Sequence, residues 1–370
     1  MKILYYYSKL NIGGAEKSTV RLLNAFAKNG HEVTLLLRWS GGSLECDLDK
    51  DVKTVHLKKN SNNKVKKLLE NFKYYFRLRK LKKEKFDIVI SGLFGYNPKI
   101  LFKHLKAKQY YQLLRNDVEK TGEYGKTKEY MQKYGDKFSA YIGVSEYTTN
   151  SFKRCYSQFK DRAYTIYNIL PSVPNKGNLE KPLEFDNDKF KILTVCRLSD
   201  KAKGLFRMVN VCKKLVNEVS SDFLWYVVGD GADKQKLLDA IDKENISKNM
   251  LVLGERGNPF PYYAYSDLVA VLSYYEGLCG VVNEAKMMGR PVIATKFSGI
   301  DEQIVNGENG IICDNDEESI FNAMKDILLC KSKIESMKIN GLKKELLDND
   351  KKIEKYQEIF KNLERKQIND

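Results

Sequence analysis

The stretch Ser273-YYEGLCGVVNEAKMMGRPVIAT decides how the chain folds, because it holds a loop, a helix and a strand in one short span. Just ahead of it, Asp267-LVAVL is a brief apolar run, partly β-branched and bounded by polar residues, as a buried strand is. Gly277 and Gly280 break the chain, residues 281–288 follow a helical pattern stopped by Gly289, and Pro291-VIAT is a second apolar strand. Glu276 therefore falls in a loop at a strand's C-terminal end, and Glu284, eight positions on, lies about a turn into the helix. Open α/β sheets bind ligands outside the carboxyl ends of their strands. A glycine-flanked loop entering a helix offers backbone N–H groups and a positive dipole end, which suits a phosphate. Carboxylates beside such a site are placed to accept hydrogen bonds from sugar hydroxyls. The same spacing also fits two solvated glutamates flanking a helix start.

Working outward, both halves of the chain alternate apolar strands with helical patterns, the signature of parallel sheets wrapped by helices. Strands are expected over 2–7, 32–37, 52–57, 87–91, 110–114, 140–144 and 165–167, with a helix over 16–28. A second set is expected over 191–195, 223–228, 250–253, 267–272, 291–295 and 310–313. Between the sets, Pro171, Pro174, Gly177 and Pro182 punctuate a segment poor in apolar residues, which reads as a linker over 171–188. The expected domains are 1–170 and 189–350, both Rossmann-like, with a charged helix near 352–366 that packs back on the first. Two such domains place a ligand in the cleft between them.

A chain of 370 residues is long enough for two domains with a core each. Its 42% hydrophobic and 30% charged content is that of a soluble globular protein, and no run approaches the ~18 apolar residues of a membrane span. Met1-KILYYYSKLN reads as a first strand rather than a secretory leader. Seven cysteines (Cys46, Cys155, Cys196, Cys212, Cys279, Cys313 and Cys330) never form a C-x-x-C pair, which argues for reduced thiols in a cytoplasmic protein. With only His31, His56 and His104 as histidines, a histidine-rich metal centre is not expected.

The net charge of +16 favours an anionic partner: nucleic acid, a membrane face or an anionic substrate. The excess is concentrated over 58–85, where twelve Lys and Arg residues face only Glu70 and Glu84. Within it, Val65, Leu68, Leu69, Phe72, Tyr75 and Phe76 recur at helical spacing. This stripe is expected to pack on the domain's own sheet. The lysines of the basic helix, 64–85, are either merely solvated or drawn to an anionic bilayer. No helix-turn-helix, zinc finger or aromatic-studded strand face points to nucleic acid.

Three loops after strands carry candidate chemistry. Gly13 and Gly14 follow the first strand and let a backbone approach a diphosphate or sugar ring, although an ordinary turn needs them equally. The full G-x-G-x-x-G dinucleotide fingerprint is missing there. Arg197 and Lys203, in Thr194-VCRLSDKAKGLF, put two cations at a strand end, where they can neutralise a diphosphate leaving group. Val227-VGDG shapes either a nucleotide pocket or a plain turn. Asp186-ND and Asp314-ND resemble a metal-binding D-x-D but lie in turn-rich segments, and are read as turns.

With these residues in hand, the chain resembles glycosyltransferase family 4 (glycosyl transferases group 1), retaining enzymes of GT-B fold. The likeness is strongest over 191–313 and weak over nearly the whole chain. It rests on an ordered set: Gly13-GAE, Gly30-HEVTLL, Gly143-VSE, Ile166-YN, Cys196-RLSDKAKG, Val228-GDG, Asn258-PFPYY, Ser273-YYEG, Glu284-AKMMGRPVIAT and Asn309-G. The resemblance implies an α/β GT-B fold, two Rossmann-like parallel-sheet domains facing across a cleft. It implies that Arg197 and Lys203 bind the donor diphosphate and Glu284 the ribose hydroxyls. Glu276 would contact the transferred sugar, with the amides of Gly277, Leu278 and Cys279 near the sugar and β-phosphate. Gly13 and Gly14 would close over the donor. No metal ion or cofactor would be needed. The sequence departs from the family at Cys279, where many members have glycine or proline, and at Asn283, where an aliphatic residue is usual. A histidine that many members carry in the N-terminal domain is replaced by Tyr110-YQLLRNDVEK, making Arg115 and Asn116 candidates for sugar or acceptor contact.

The expected function is retaining transfer of a hexose or N-acetylhexosamine from a nucleotide-diphosphate sugar, preferably a UDP-sugar, to a glycan or lipid-linked acceptor. Bacterial surface polysaccharide assembly, such as capsule or lipopolysaccharide, is the expected setting, with the protein cytoplasmic or peripheral on the membrane. Two alternatives share the sequence features: a nucleotide-sugar 2-epimerase on the same fold, and a basic binding scaffold without catalysis.

Overall fold

The computed structural model describes residues 1–59, 64–96, 98–119, 123–335, 337 and 341–369. In chain order, the first part runs β1 (Lys2–Tyr7), α1 (Gly14–Lys28), β2 (Glu32–Trp39), β3 (Val52–Lys58), α2 (Lys64–Leu81), β4 (Lys85–Ser91), α3 (Pro98–His104), β5 (Lys106–Leu114), α4 (Glu123–Tyr134), β6 (Ala140–Gly143), α5 (Glu146–Cys155) and β7 (Ala163–Thr165). The second runs β8 (Phe190–Val195), α6 (Asp200–Lys203), α7 (Leu205–Glu218), β9 (Phe223–Val228), α8 (Lys234–Lys243), β10 (Met250–Gly254), α9 (Phe260–Tyr265), β11 (Leu268–Val271), α10 (Gly280–Met287), β12 (Val292–Thr295), β13 (Ile311–Cys313), α11 (Glu317–Leu329) and α12 (Ser332–Glu335). Two last helices follow, α13 (Lys344–Leu347) and α14 (Asn349–Asn369). Contacts divide the chain into Met1–Leu170 with Glu345–Asp370, and Pro171–Lys344.

Each unit is a parallel α/β sheet with its own core. The first has strand order β3-β2-β1-β4-β5-β6-β7 and the second β10-β9-β8-β11-β12-β13. In both, the chain starts mid-sheet, builds to one side, then crosses back to build on the other. The reversal falls between β1 and β4 in one sheet and between β8 and β11 in the other, each pair parallel. Loops leaving those adjacent strands diverge to opposite faces, and the gap between them is where such sheets bind ligands. Continuous apolar strands such as Ile3–Tyr7 and Val269–Val271 are buried because helices cover both faces.

Several expectations shift. β5 begins at Lys106 rather than 110, because its charged start pairs with β4 at the sheet's margin, where Lys108 bridges Asp87 at 3.1 Å. The strand expected over 165–167 ends at Thr165. Residues 171–188 lie against the second unit: Phe185 is fully buried beside Tyr226 and Tyr262, and Glu184 bridges Arg256 at 2.9 Å.

The expected packing of the α2 stripe does not hold for its C-terminal half. Tyr75 and Phe76 are 69% and 70% exposed, whereas Leu78 and Leu81 are buried under the sheet. Of the stripe's other members, Val65, Leu68, Leu69 and Phe72, the side chains lie outside what the structure describes. No helix among the described residues is long and apolar enough to cross a membrane.

α14 completes the first core. Ile353, Tyr356, Ile359 and Phe360 are buried on one face, against Phe26 and Tyr111. Gln109 Nε2 donates to the Phe360 carbonyl at 3.1 Å, and Asn349 brackets the Leu170 backbone with bonds of 2.9 and 3.0 Å. Phe360→Ala is therefore expected to destabilise this unit by about 3–5 kcal/mol, read as a lowered urea midpoint.

In the second unit, Lys286 is 1% exposed, and its ammonium donates to the Asn309 carbonyl. Burial pushes its pKa down to about 8. An unfolded lysine holds its proton to about pH 10.4, so between these values the unfolded chain binds more protons and stability rises with pH. Denaturation of the wild type between about pH 8 and pH 10 should show a gain of roughly 2–3 kcal/mol that Lys286→Met lacks.

Candidate active site

The second unit gathers its charged side chains at the ends of β8 and β11. After β8 the chain passes through Cys196 and the exposed Arg197 into the single turn of α6. Gly204 ends that turn in the left-handed region at φ 64°. A Cβ there would come within 2.8 Å of the Leu272 carbonyl, so glycine lets α6 press against the end of β11. Tyr274 N donates to the Ala202 carbonyl at 2.9 Å, fastening the loop after β11 to α6.

Lys203 and Glu276 meet across this seam in a direct ion pair. Glu276 Oε1 also accepts from Ser273 Oγ at 2.8 Å. Burial alone would lower the Lys203 pKa, but the Glu276 carboxylate outweighs it and the ammonium is held well above its ordinary range. A small cavity here is lined by Thr194, Cys196, Lys203, Ser273, Glu276 and Cys279. Burial pushes the Cys196 and Cys279 thiols up to about 12, with the Glu276 charge adding to the effect at both. Both are therefore neutral, unreactive thiols near pH 7. A larger depression of about 400 Å³ lies elsewhere, lined by Lys213, Lys214, Glu244 and Glu318, whose charges pair with one another.

Arg207 of α7 supports this corner. Its guanidinium donates through Nε to the Leu272 carbonyl at 2.8 Å and through Nη1 to Asn315 Oδ1 at 2.6 Å, and lies 4.0 Å from the Tyr274 ring centroid. The Val227-VGDG turn is a packing element: a Cβ on Gly229 would sit 1.8 Å from the Cys196 carbonyl, and one on Gly231 would sit 2.3 Å from that of Leu198. The close backbone approach seats the loop that carries Arg197.

Glu284, on α10, is 8% exposed, and its Oε2 accepts from Tyr263 Oη of α9 at 3.3 Å. The start of α10 has no side-chain cap. Gln303 organises the loop before it, accepting from Cys279 N at 3.0 Å and donating to Cys279 O at 2.8 Å and Asn283 Oδ1 at 2.7 Å. Cys279 and Asn283, the two departures noted in the sequence, are thus tied together by one buried glutamine. Nothing in local spacing pointed to Gln303, Arg207 or Tyr263.

In the first unit, Gly13 precedes α1 as an uncapped N-terminus, and a Cβ on Gly14 would meet no atom within 4 Å. Gly14 is exposed and Gly13 half-buried. Arg115, just past β5, turns inward: Nη2 donates to Tyr5 Oη at 2.9 Å and Thr19 Oγ1 at 2.8 Å. Burial opposes its charge, but the neighbouring Tyr5 and Tyr7 leave its pKa raised. Asn116 is exposed, and Asp117 is buried, accepting from Ser151 Oγ at 2.7 Å. Asp186 pairs with Lys181 at 3.1 Å, and no cluster of metal-binding side chains occurs among the described residues.

Known proteins resemble the chain in sequence and in fold. The family model described as "Glycosyl transferases group 1" matches residues 175–344, and that of "Glycosyltransferase Family 4" matches 12–171. An uncharacterized glycosyltransferase of Methanocaldococcus jannaschii is 27% identical over 276 residues, 68% of this chain and 66% of that relative. A Campylobacter jejuni α-1,4-N-acetyl-D-galactosaminyltransferase, named for a GalNAc-containing glycan on PP-undecaprenol, is 25% identical over 95% of this chain and 93% of its own length. The crystal structure of Anabaena HepE with UDP and glucose superposes with TM-score 0.76 at 17% identity, covering 98% of this chain and 99% of that one. The two parallel Rossmann-like sheets are those of the GT-B fold, and the chain belongs to the family 4, group 1 glycosyltransferases.

Proposed function

We propose that the protein transfers a hexose or N-acetylhexosamine, with retention of configuration, from a UDP-sugar to a lipid-linked glycan in bacterial surface polysaccharide assembly. The observation that carries this reading is the Lys203–Glu276 pair beside the uncapped start of α10, with Arg197 exposed on the adjoining loop. Cleavage of a glycosyl–phosphate bond develops negative charge on the departing diphosphate. Fixed cations aimed at that charge favour the transition state over the ground state. Arg197 and Lys203 fill that role, so neutralisation of the leaving group is assigned to the protein and not to a metal ion.

Glu276, oriented by Lys203 and Ser273, keeps an acceptor oxygen for a hydroxyl of the transferred sugar. Glu284, braced by Tyr263, serves the ribose hydroxyls, and the amides of Gly277 and Leu278 serve the β-phosphate and sugar, whereas the Cys279 amide expected to join them is held by Gln303. Gly13 and Gly14 are assigned to the donor as well, through their backbone amides. Arg115 acts through the Tyr5 and Thr19 hydroxyls that it binds, and Asn116 is the exposed neighbour left to meet the acceptor. The C. jejuni relative, named for an undecaprenol-linked glycan, and the UDP held by HepE support the acceptor and donor classes.

UDP at ~100 times its dissociation constant should stabilise the protein by about 2.7 kcal/mol in a thermal-shift measurement. Arg197→Ala and Glu284→Ala should each weaken UDP by roughly tenfold or more. Lys203→Ala should lower kcat by about 10²–10³, measured as UDP release in the presence of acceptor. Folded protein that no nucleoside diphosphate stabilises would overturn the reading in favour of a binding scaffold. Conversion of a UDP-sugar to its epimer without acceptor would overturn it in favour of an epimerase.

A further inference from the structure

One face of the first unit carries an unbroken band of aromatic rings and cations. It begins at the C-terminal end of β2, where the Arg38 guanidinium lies 5.7 Å from the Trp39 ring and 5.4 Å from that of Tyr96. Lys58, ending the edge strand β3, lies 5.7 Å from the same Trp39 ring and 5.0 Å from Tyr74 of α2. Tyr74 meets Tyr75 edge-on at 5.6 Å. Beyond it, Tyr75 and Phe76 are among the most exposed large apolar side chains of the described residues, at 69% and 70%.

α2 is seated by its opposite face. Leu78 and Leu81 are buried with Leu57, and Arg77 Nη1 donates to the Leu57 carbonyl at 3.0 Å. That seating turns Tyr75, Phe76, Arg79 and Lys80 outward along one arc, and Lys73, Lys82, Lys83 and Lys85 are exposed around it. The single acid between residues 73 and 85 is Glu84, which faces away to Lys2 at 3.6 Å. The patch is therefore strongly cationic and tipped with two aromatic rings.

We propose that this face docks on an anionic lipid bilayer, with Tyr75 and Phe76 entering the headgroup–acyl boundary and Arg79, Lys80, Lys82 and Lys83 lying over acidic headgroups. Three features favour a bilayer over another partner. Tyrosine and tryptophan with lysine and arginine is the composition of membrane interfaces, where amphipathic rings and snorkelling cations share one depth. Polybasic segments gain attraction from each cation near an anionic leaflet. The Tyr75 and Phe76 rings at its tip stand in solvent, so a bilayer can take them up without displacing any core contact. A helix that lies on a membrane buries one apolar face and keeps its cations at the surface.

The placement also gives the docking a purpose, which rests on the lipid-linked reading of the acceptor. β1, β2 and β3 are parallel, so the ends that carry Trp39 and Lys58 lie at the same end of the sheet as the Gly13–Gly14 turn after β1. A bilayer against the Trp39–Lys58 end of the band lies at the ligand-binding end of this sheet, while Lys82, Lys83 and Lys85 reach toward its other end, where Glu84 meets Lys2.

Vesicle flotation of the full chain tests the inference. Binding is expected to phosphatidylcholine vesicles containing phosphatidylglycerol, to be lost at high salt, and to be absent from phosphatidylcholine alone. The Tyr75→Ser, Phe76→Ser double variant should bind the anionic vesicles roughly tenfold more weakly, and Arg79→Glu with Lys80→Glu and Lys83→Glu should abolish binding. Both variants should keep the wild-type melting curve and UDP binding, since every altered side chain is exposed. No wild-type binding to anionic vesicles, equal binding to neutral ones, or wild-type binding by either variant would overturn the proposal. Vesicle binding without sugar transfer would sink the lipid-linked reading alone, whereas sugar transfer without vesicle binding would sink the docking face alone.

Discussion

The second unit depends on the ion pair between Lys203 and Glu276. The loop after β11 has little regular structure of its own, so the position of Glu276 is set by what the loop is tied to. A paired charge withdrawn from water is costly to orphan, because removing one partner leaves the other buried and uncompensated. Each residue therefore holds the other in place. Around the pair, Arg207 grips the Leu272 carbonyl, Tyr274 N reaches Ala202 O, and Gly204 removes the Cβ that would keep α6 away. The outcome is a preorganised corner where cation and carboxylate are oriented before any ligand arrives, as electrostatic catalysis requires.

The two units handle buried polarity differently. In the second, charge is answered by charge at the seam, and Gln303 answers the backbone of Cys279 and the amide of Asn283. In the first, the Arg115 guanidinium is met by the neutral hydroxyls of Tyr5 and Thr19. That arrangement locks β1, α1 and the end of β5 together beside the Gly13–Gly14 turn, and it makes Arg115 a brace within this unit.

Much of the architecture was legible in the sequence. Strands buried on both faces are continuous apolar runs, and glycines and prolines mark where they stop, so the core strands emerged within a residue or two. The misplacements have physical causes. Lys106 and Lys108 disguised the start of β5, because a strand's solvated end needs no apolar residues. The proline-rich segment over 171–188 hid the burial of Phe185, a single aromatic in a polar stretch. On α2 the spacing revealed a helix and an apolar stripe, but Leu78 and Leu81, on the face opposite Tyr75 and Phe76, are the side chains that meet the core. A periodicity names a face without saying whether that face touches the core.

The sequence by itself determined the alternation of strands and helices, the glycine-broken loops at strand ends and the kinds of charge placed there. All of these act between residues close along the chain, through turn geometry, helix periodicity and burial. Only the tertiary structure decided who pairs with whom. Lys203 finds Glu276 across 73 positions because the sheet order sets β11 beside β8 and not beside β10, and Gln303 finds Cys279 across 24 because it sets β12 beside β11. That adjacency follows from how helices cover the whole sheet, a property of the assembled core that no local run of residues contains.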